Sequence, residues 1–169
     1  LENIKGIISH ADIIIFMVDA RTGIMPFDYS CAEILRKTKS TVLLVANKVE
    51  SEVQKNQAYE AIKLGYGEPI ILSAEHGIGL GSLEEHLSKL IKQNEVQTEE
   101  KENDNSSIRL AIVGRPNSGK STLTNTLLGK NTVLTGDQPG VTRDAIMIDF
   151  IWKGQMIQLI DTAGMRKKS

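Results

Sequence analysis

The sequence predicts an α/β protein in which a mostly parallel sheet lies between two layers of helices. The segments 12–18 and 41–46 are apolar after their first residue and have the length and composition of strands that are buried on both faces. Helical patterns separate these runs, and a glycine-rich loop later joins another strand to a helix. With 169 residues and 40% hydrophobic content, the chain is long enough to enclose a sizeable core.

The predicted strands and helices alternate along the first part of the chain. Each apolar run is followed by a helical pattern, which indicates crossover connections between parallel strands. In chain order the predicted elements are strand 12–18, helix 27–37, strand 41–46, helix 51–64, strand 69–72 and helix 81–92.

The last part of the chain repeats this pattern and then changes it. Strand 110–113 leads through the glycine-rich loop into a helix over 121–128. Two further strands follow at 145–151 and 155–160, and the Lys153-Gly154 pair between them indicates a hairpin. The hairpin makes the predicted sheet mixed.

An acidic segment at 93–107 divides the chain into two blocks. It contains one apolar residue, Val96, so we expect a flexible and exposed linker. The formal charge is −2 over 1–92, −4 over 93–107 and +5 over 108–169. The basic last block favours a phosphate or RNA partner.

Composition excludes several classes of protein. No apolar run approaches the roughly 20 residues that span a bilayer. The one cysteine, Cys31, excludes an internal disulfide and is typical of a reducing compartment. The chain has no secretory signal and no initiator methionine, so we expect an internal piece of a longer polypeptide.

The glycine-rich loop at 114–121 reads GRPNSGKS and matches the phosphate-binding pattern G-x-x-x-x-G-K-[ST]. Gly114 and Gly119 permit the tight turn that points backbone N–H groups at phosphate oxygens. Lys120 is expected to reach the outer phosphates, and Ser121 to offer its hydroxyl to Mg²⁺. The following helix begins where an anion is favoured, so the loop predicts binding of a nucleoside triphosphate.

Two further motifs supply candidate groups for a triphosphate and its metal. Asp161 opens a D-x-x-G sequence after the last strand, where its carboxylate can hold the water shell of Mg²⁺. Gly164 of the same motif can bring its N–H to a γ-phosphate. Thr142, in the loop 140–144, can ligate Mg²⁺ when triphosphate is bound. The predicted metal set is Ser121, Thr142 and Asp161.

The segment Asn47-Lys48-Val49-Glu50 closes the second strand and is a candidate for reading the base. The Glu50 carboxylate can accept hydrogen bonds from guanine N1–H and its exocyclic N2 amine, a donor pair that adenine lacks. Ser73-Ala74-Glu75 follows the third strand and can add a backbone N–H toward the guanine oxygen. These segments therefore favour guanine.

Together these motifs resemble those of the Der (EngA) family, within the translation-factor class of P-loop GTPases. The resemblance covers essentially the whole chain. It lies in Arg-Pro-Asn of the phosphate loop, Gly-Val-Thr-Arg-Asp at 140–144 and Ser-Ala-Glu-His-Gly-Ile-Gly-Leu-Gly at 73–81. Val-Asp-Ala-Arg-Thr-Gly at 18–23, with Pro26 and Asp28, also matches.

The resemblance implies a domain order, because that family carries two consecutive G domains and a C-terminal KH-like domain. Residues 1–92 would be the second half of the first G domain, and 108–169 the first half of the second. The implied ligands are GTP or GDP with Mg²⁺. The implied partner of the full-length cytoplasmic protein is the large ribosomal subunit or its rRNA, with no membrane or DNA partner.

The resemblance also implies roles for individual residues. Lys120, Thr142 and Asn117 would be catalytic. The nucleotide-binding set would be Gly114, Arg115, Pro116, Asn117, Ser118, Gly119, Lys120, Ser121, Thr122, Asp161, Thr162, Ala163, Gly164, Met165, Asn47, Lys48, Val49, Glu50, Ser73, Ala74 and Glu75.

Two residues depart from the related patterns. Glu50 stands where the family usually has aspartate, and its longer reach predicts weaker guanine affinity or selectivity. Met165 stands where many signalling GTPases carry a glutamine that orients the attacking water. Related GTPases without that glutamine can use K⁺, held partly by an asparagine that matches Asn117, so K⁺ activation is a hypothesis here.

The base-reading segment precedes the phosphate loop, which leaves alternatives open. The chain can span the junction of two G domains, or it can be a naturally circularly permuted GTPase. A nucleotide-binding module without turnover and an ATPase are further alternatives. We expect that the two blocks can dock as one permuted G domain, with Asn47 facing the same pocket as Lys120.

Overall fold

The structure, a computed structural model, describes residues 2–98, 107–129, 132–134 and 145–162. Helices and strands alternate along most of this length. In chain order they are α1 (Glu2–Ile8), β1 (Ile13–Asp19), α2 (Pro26–Leu35), β2 (Thr41–Asn47), α3 (Glu52–Ala58), a 3-10 helix (Tyr59–Leu64), β3 (Ile70–Ile71), α4 (Leu80–Thr98), β4 (Ile108–Gly114), α5 (Lys120–Gly129), β5 (Thr132–Leu134), β6 (Ala145–Trp152) and β7 (Gln155–Thr162).

The described strands form one seven-stranded sheet in the order β3-β2-β1-β4-β7-β6-β5. The first five strands of this order are parallel to one another, whereas β6 and β5 are added antiparallel at one edge. The predicted mixed and mostly parallel sheet is confirmed. Strands of both sequence blocks are neighbours, since β1 pairs with β4 from Ile13↔Leu110 to Met17↔Gly114.

The sheet has a separate hydrophobic core on each face, and β1 contributes to both. Ile14 and Phe16 pack on the face that α1, α2 and the 3-10 helix cover. Ile13 and Ile15 pack on the opposite face, beneath α4 and α5. All four side chains are fully buried. Burying each of these side chains stabilises the fold by about 1.5–3 kcal/mol, which explains why the run is continuously apolar.

The element bounds differ from the predicted ones in several places. Helix α4 continues to Thr98, into the segment that we expected to be a linker, because 93–98 contain neither glycine nor proline. Asn94 Nδ2 also donates to the Leu90 carbonyl at 3.0 Å along this extension. Helix α1 and strand β5 were not predicted, and the predicted helix 51–64 is divided between α3 and the 3-10 helix.

The turn between β6 and β7 has the conformation that its sequence predicts. Lys153 and Gly154 both have positive φ, at 48° and 82°, as a two-residue type I′ hairpin requires. Among the helices of the described ranges, none is long and apolar enough to cross a membrane.

Candidate functional site

The candidate site lies at the carboxyl edge of the parallel strands, where open α/β sheets bind their ligands. The ends of β2, β1 and β4 are neighbours along this edge. The base-reading segment follows β2, and the phosphate loop follows β4. The order of strands in space therefore brings together two motifs that are far apart in the sequence.

The phosphate loop begins in close contact with β1. A Cβ added to Gly114 would collide with the Met17 carbonyl, so glycine is required for the two backbones to approach. Asn117 has a φ of 63°, and the Ser118 N–H donates to the Arg115 carbonyl at 3.3 Å. Helix α5 then begins at Lys120, which places its N-terminal N–H groups beside the loop.

The Lys120 ammonium group lies within the phosphate loop. It donates to the Gly114 carbonyl at 2.9 Å and to the Arg115 carbonyl at 2.7 Å. These contacts bring the positive charge close to the backbone that would surround a phosphate. The loop thus has both the narrow glycine-lined cradle and the charge that a polyphosphate needs.

Asn47 joins the two motifs through its buried side-chain amide. Its Nδ2 donates to the Ser118 carbonyl at 2.9 Å, and its Oδ1 accepts from the Ala74 N–H at 2.9 Å. Gly119 has a φ of 101°, and a Cβ there would collide with Asn47 Nδ2. The base-reading segment, the segment after β3 and the phosphate loop are therefore in direct contact.

Lys48 makes a second connection between the blocks. Its Nζ donates to Asp19 Oδ2 at 2.7 Å and to the Asn117 carbonyl at 2.5 Å. Asp19 is buried, and its other oxygen accepts from the Arg21 N–H at 2.9 Å. Asp19 was not among the predicted site residues, although it belongs to the Val-Asp-Ala-Arg-Thr-Gly sequence that supported the resemblance.

Glu50 lies at the rim of the site and is held by side chains rather than by burial. Arg21 Nη2 donates to both carboxylate oxygens, at 2.8 and 2.7 Å. Ser73 Oγ and His76 Nε2 lie farther from Oε1, at 3.4 and 3.5 Å. Between Asn47 and Glu50, the Val49 N–H donates to the Leu72 carbonyl, which fixes the segment against the end of the β3 region.

Arg115 connects the phosphate loop to the first block, a role that the sequence motif did not predict. Its guanidinium contacts the first block, with Nε at 3.7 Å from Asp28 Oδ2 and Nη2 donating to Thr22 Oγ1 and, at 3.3 Å, to the Gly23 carbonyl. Asp28 is fully buried, and its Oδ2 also accepts from the Met25 N–H at 2.9 Å. The ion pair therefore fixes the loop to the start of α2.

The environment of Asp28 raises the pKa of its carboxyl group above the ordinary value. Burial is the main cause, because removal from water penalises the charged form. The Met25 N–H and the Arg115 charge act in the opposite direction. Asp28 Oδ1 and Arg115 Nε are buried without a hydrogen-bond partner, so this pair is incompletely satisfied.

Part of the predicted site lies outside the described residues. This part comprises the loop 140–144 with Thr142, and also Ala163, Gly164 and Met165. The backbone of Asp161 and Thr162 is described at the end of β7, which is paired with β4. Of the predicted metal set, Ser121 lies in the first turn of α5, directly after Lys120.

Comparison with known proteins finds related sequences. Residues 109–169 match a family model described as 50S ribosome-binding GTPase. A protein named GTPase Der from Caldanaerobacter subterraneus subsp. tengcongensis is 46% identical over 98% of this chain and 37% of its own length. A GTPase Der from Brucella anthropi is 40% identical over 98% of this chain and 41% of its own length. The chain thus spans about two fifths of these relatives.

A solved structure shares the fold at low sequence identity. The crystal structure of YjeQ from Thermotoga maritima superposes with a TM-score of 0.54 at 20% identity. The match covers 88% of this chain, and so includes residues of both blocks, and 47% of that chain. Residues 109–169 therefore match the model of the 50S ribosome-binding GTPase family, and 98% of the chain is similar in sequence to proteins named GTPase Der.

Proposed function

We propose that this chain binds GTP or GDP with Mg²⁺ in one composite site, and that the site hydrolyses GTP. The observation that carries the proposal is the pair of contacts from Asn47 to the Ser118 carbonyl and from Lys48 to the Asn117 carbonyl. These contacts hold a base-reading segment against a phosphate loop. The composite corresponds to a G domain whose two halves occur in reversed order along the chain.

The phosphate half of the site supplies charge stabilisation. Lys120 and the backbone N–H groups of the loop would stabilise the negative charge on the β- and γ-phosphate oxygens. Ser121, Thr142 and Asp161 would hold Mg²⁺, which neutralises part of the same charge when it is bound. Without Lys120, binding and turnover are both expected to decrease strongly.

The composite site is tested by titrating the chain with a fluorescent GTP analogue and measuring phosphate release. Asn47→Ala should weaken binding about tenfold or more, because it removes the amide that joins the loops and leaves the Ala74 N–H unpaired. Asn125→Ala, at an exposed position of α5, is the matched control. Equal affinity of both variants would contradict a shared site, and binding without phosphate release would support a binding module instead.

The base preference follows from the acceptor atoms of Glu50. A carboxylate accepts from both donors of guanine, whereas the amide of Glu50→Gln can donate to the O2 atom of xanthine. We expect this variant to lose affinity for GTP and to gain relative affinity for XTP. Glu52→Gln, at an exposed position on α3, is the control and should change neither the GTP affinity nor the XTP affinity. In the wild type, efficient competition by ATP would favour the ATPase alternative.

Two finer proposals concern cations and partners. We propose that Asn117 contributes to a K⁺ site, and equal single-turnover rates in KCl and NaCl for the full-length protein would contradict this.

We also propose that the full-length cytoplasmic protein acts in assembly of the large ribosomal subunit, through rRNA contacts. The family description and the net charge of +5 over 108–169 support this partner. Co-sedimentation with 50S subunits should depend on whether GTP or GDP is bound.

A further inference from the structure

The Glu50 carboxylate has one short and symmetric partner, the guanidinium group of Arg21. A single nitrogen, Nη2, lies 2.8 Å from Oε1 and 2.7 Å from Oε2. The nearly equal distances show that this one nitrogen is shared by both oxygens of the carboxylate. The Ser73 and His76 contacts involve Oε1 alone and are longer, at 3.4 and 3.5 Å.

Guanine recognition would use the same edge of the same carboxylate. The N1–H and N2–H donors of guanine point in parallel at two acceptor oxygens, and the base must approach along the bisector to reach both. Arg21 Nη2 already donates to both of these oxygens. Guanine and Arg21 would therefore compete for the same pair of acceptor atoms.

The Arg21 side chain can leave this position at low energetic cost. It is 45% exposed, and the Glu50 side chain is 26% exposed, so water can solvate both charges after separation. The Arg21 backbone remains fixed by the hydrogen bond from its N–H to Asp19 Oδ1 at 2.9 Å. Rotation about side-chain bonds is thus sufficient, and the strand end does not have to move.

We propose that Arg21 is a specificity-determining residue that competes with guanine for the Glu50 carboxylate. This inference rests on the proposed function, since it assumes that Glu50 reads the base. Only a base that offers two parallel donors restores the hydrogen bonds that Glu50 loses when Arg21 leaves. Arg21 therefore lowers the affinity for guanine nucleotides in proportion to the strength of its own ion pair.

The expected effect is modest, because partly exposed ion pairs are weak. Removing Arg21 should tighten guanine-nucleotide binding by about two- to fivefold. A general charge effect would act in the opposite direction, since loss of a cation weakens attraction of the phosphates. An increase in affinity is therefore a specific signature of competition.

The experiment measures the dissociation constant of a fluorescent guanine nucleotide, mant-GDP, from the wild type and a set of variants. Arg21→Gln should bind more tightly than the wild type, and Arg21→Lys should remain close to it. Lys37→Gln, an exposed cation just after the end of α2, controls for loss of charge. In a Glu50→Gln background, Arg21→Gln should give no gain, because the contested carboxylate is absent. The gain in the wild-type background should also decrease at high salt.

The outcomes separate this inference from the proposed function. If Glu50→Gln weakens binding but Arg21→Gln leaves it unchanged or weaker, competition is contradicted and base reading stands. If the wild type does not bind mant-GDP, the proposed function and the inference both fail. A gain that persists in the Glu50→Gln background would also overturn the inference, since Arg21 would then act at another place.

Discussion

At the scale of single residues, the site depends on polar side chains that connect distant parts of the chain. Arg115 and Asp28 are the strongest example, because an ion pair with one fully buried partner holds the phosphate loop against α2. Removing one member of such a pair leaves the other with an uncompensated desolvation cost. Substituting Arg115 or Asp28 should therefore lower folding stability, and ligand binding should change as a result.

Asp28→Ala is expected to reduce the free energy of unfolding by about 3 kcal/mol. The variant deprives Arg115 of its carboxylate and the Met25 N–H of its acceptor. Urea unfolding at neutral pH measures the effect. Glu33→Ala is the control on the same helix, because its exposed side chain should contribute less than about 0.5 kcal/mol. Similar losses for both variants would contradict the assignment.

The raised pKa of Asp28 predicts a pH dependence of stability opposite in sign to that of a carboxylate whose pKa is lowered on folding. Because the pKa is higher in the folded state, the stabilising contribution is fully present below about pH 4, and it is lost as pH rises through the folded pKa. The unfolding free energy of Asp28→Asn relative to the wild type should therefore increase from about pH 4 toward neutrality. Urea titrations at several pH values check this, and a constant difference would show that burial does not control the carboxyl.

At the scale of elements, most of the fold was predictable from the pattern of apolar residues. The central strands are nearly continuous apolar runs. In α4, apolar residues recur at helical spacing at Leu83, Leu87, Leu90 and Ile91, which by itself predicts a helix. Strand β5 was missed because its three residues are too few to show a periodic pattern, and within the described residues it pairs with β6 alone. Helix α1 is seven residues long and lacks a recognisable start signal.

The candidate site was predictable to the extent that its motifs are local. The phosphate loop can be recognised from the sequence alone by the spacing of its glycines and Lys120. The pairing of Arg115 with Asp28 has no local signal, because it depends on β1 and β4 being neighbours in the sheet. The Arg21–Glu50 contact was also not foreseen, since each side chain follows a different strand and their approach depends on the strand order.

The start of α5 gives a prediction at this scale. Gly119→Ala should abolish nucleotide binding, because its Cβ would collide with Asn47 Nδ2 at a backbone φ that alanine rarely adopts. Gly81→Ala is the control, since it lies in α4 with open space around it. Its unfolding free energy should increase by about 0.5–1 kcal/mol with unchanged affinity. Normal binding by Gly119→Ala in a titration would contradict the described packing.

At the scale of the whole molecule, the shared sheet predicts that the two sequence blocks unfold together. The only cysteine, Cys31, lies in the core on one face, and the only tryptophan, Trp152, lies in the core on the other face. Burial raises the pKa of the Cys31 thiol to about 11, so it should react slowly at pH 8 until the fold opens. The two side chains are thus independent reporters of the two blocks.

Denaturant midpoints from thiol reactivity and from tryptophan fluorescence should coincide. GDP at one hundred times its dissociation constant should raise the free energy of unfolding that each reporter measures by the same amount, about 2.7 kcal/mol. Exposure of Cys31 at a denaturant concentration where Trp152 remains buried would show that the blocks are separate units. A ligand effect on one reporter alone would lead to the same conclusion.

The pairing of β1 with β4 also bears on how the chain is made. Asp12 and Arg109, which are hydrogen-bonded at the start of these strands, lie 97 positions apart in the sequence. During synthesis, β1 leaves the ribosome long before the strand that covers its second edge. An apolar strand with an open edge can recruit other chains, and contacts of such long sequence separation form slowly. Within this sequence, the interval between β1 and β4 is therefore a period of aggregation risk, and the speed of elongation becomes one of the factors that set the yield of folded protein.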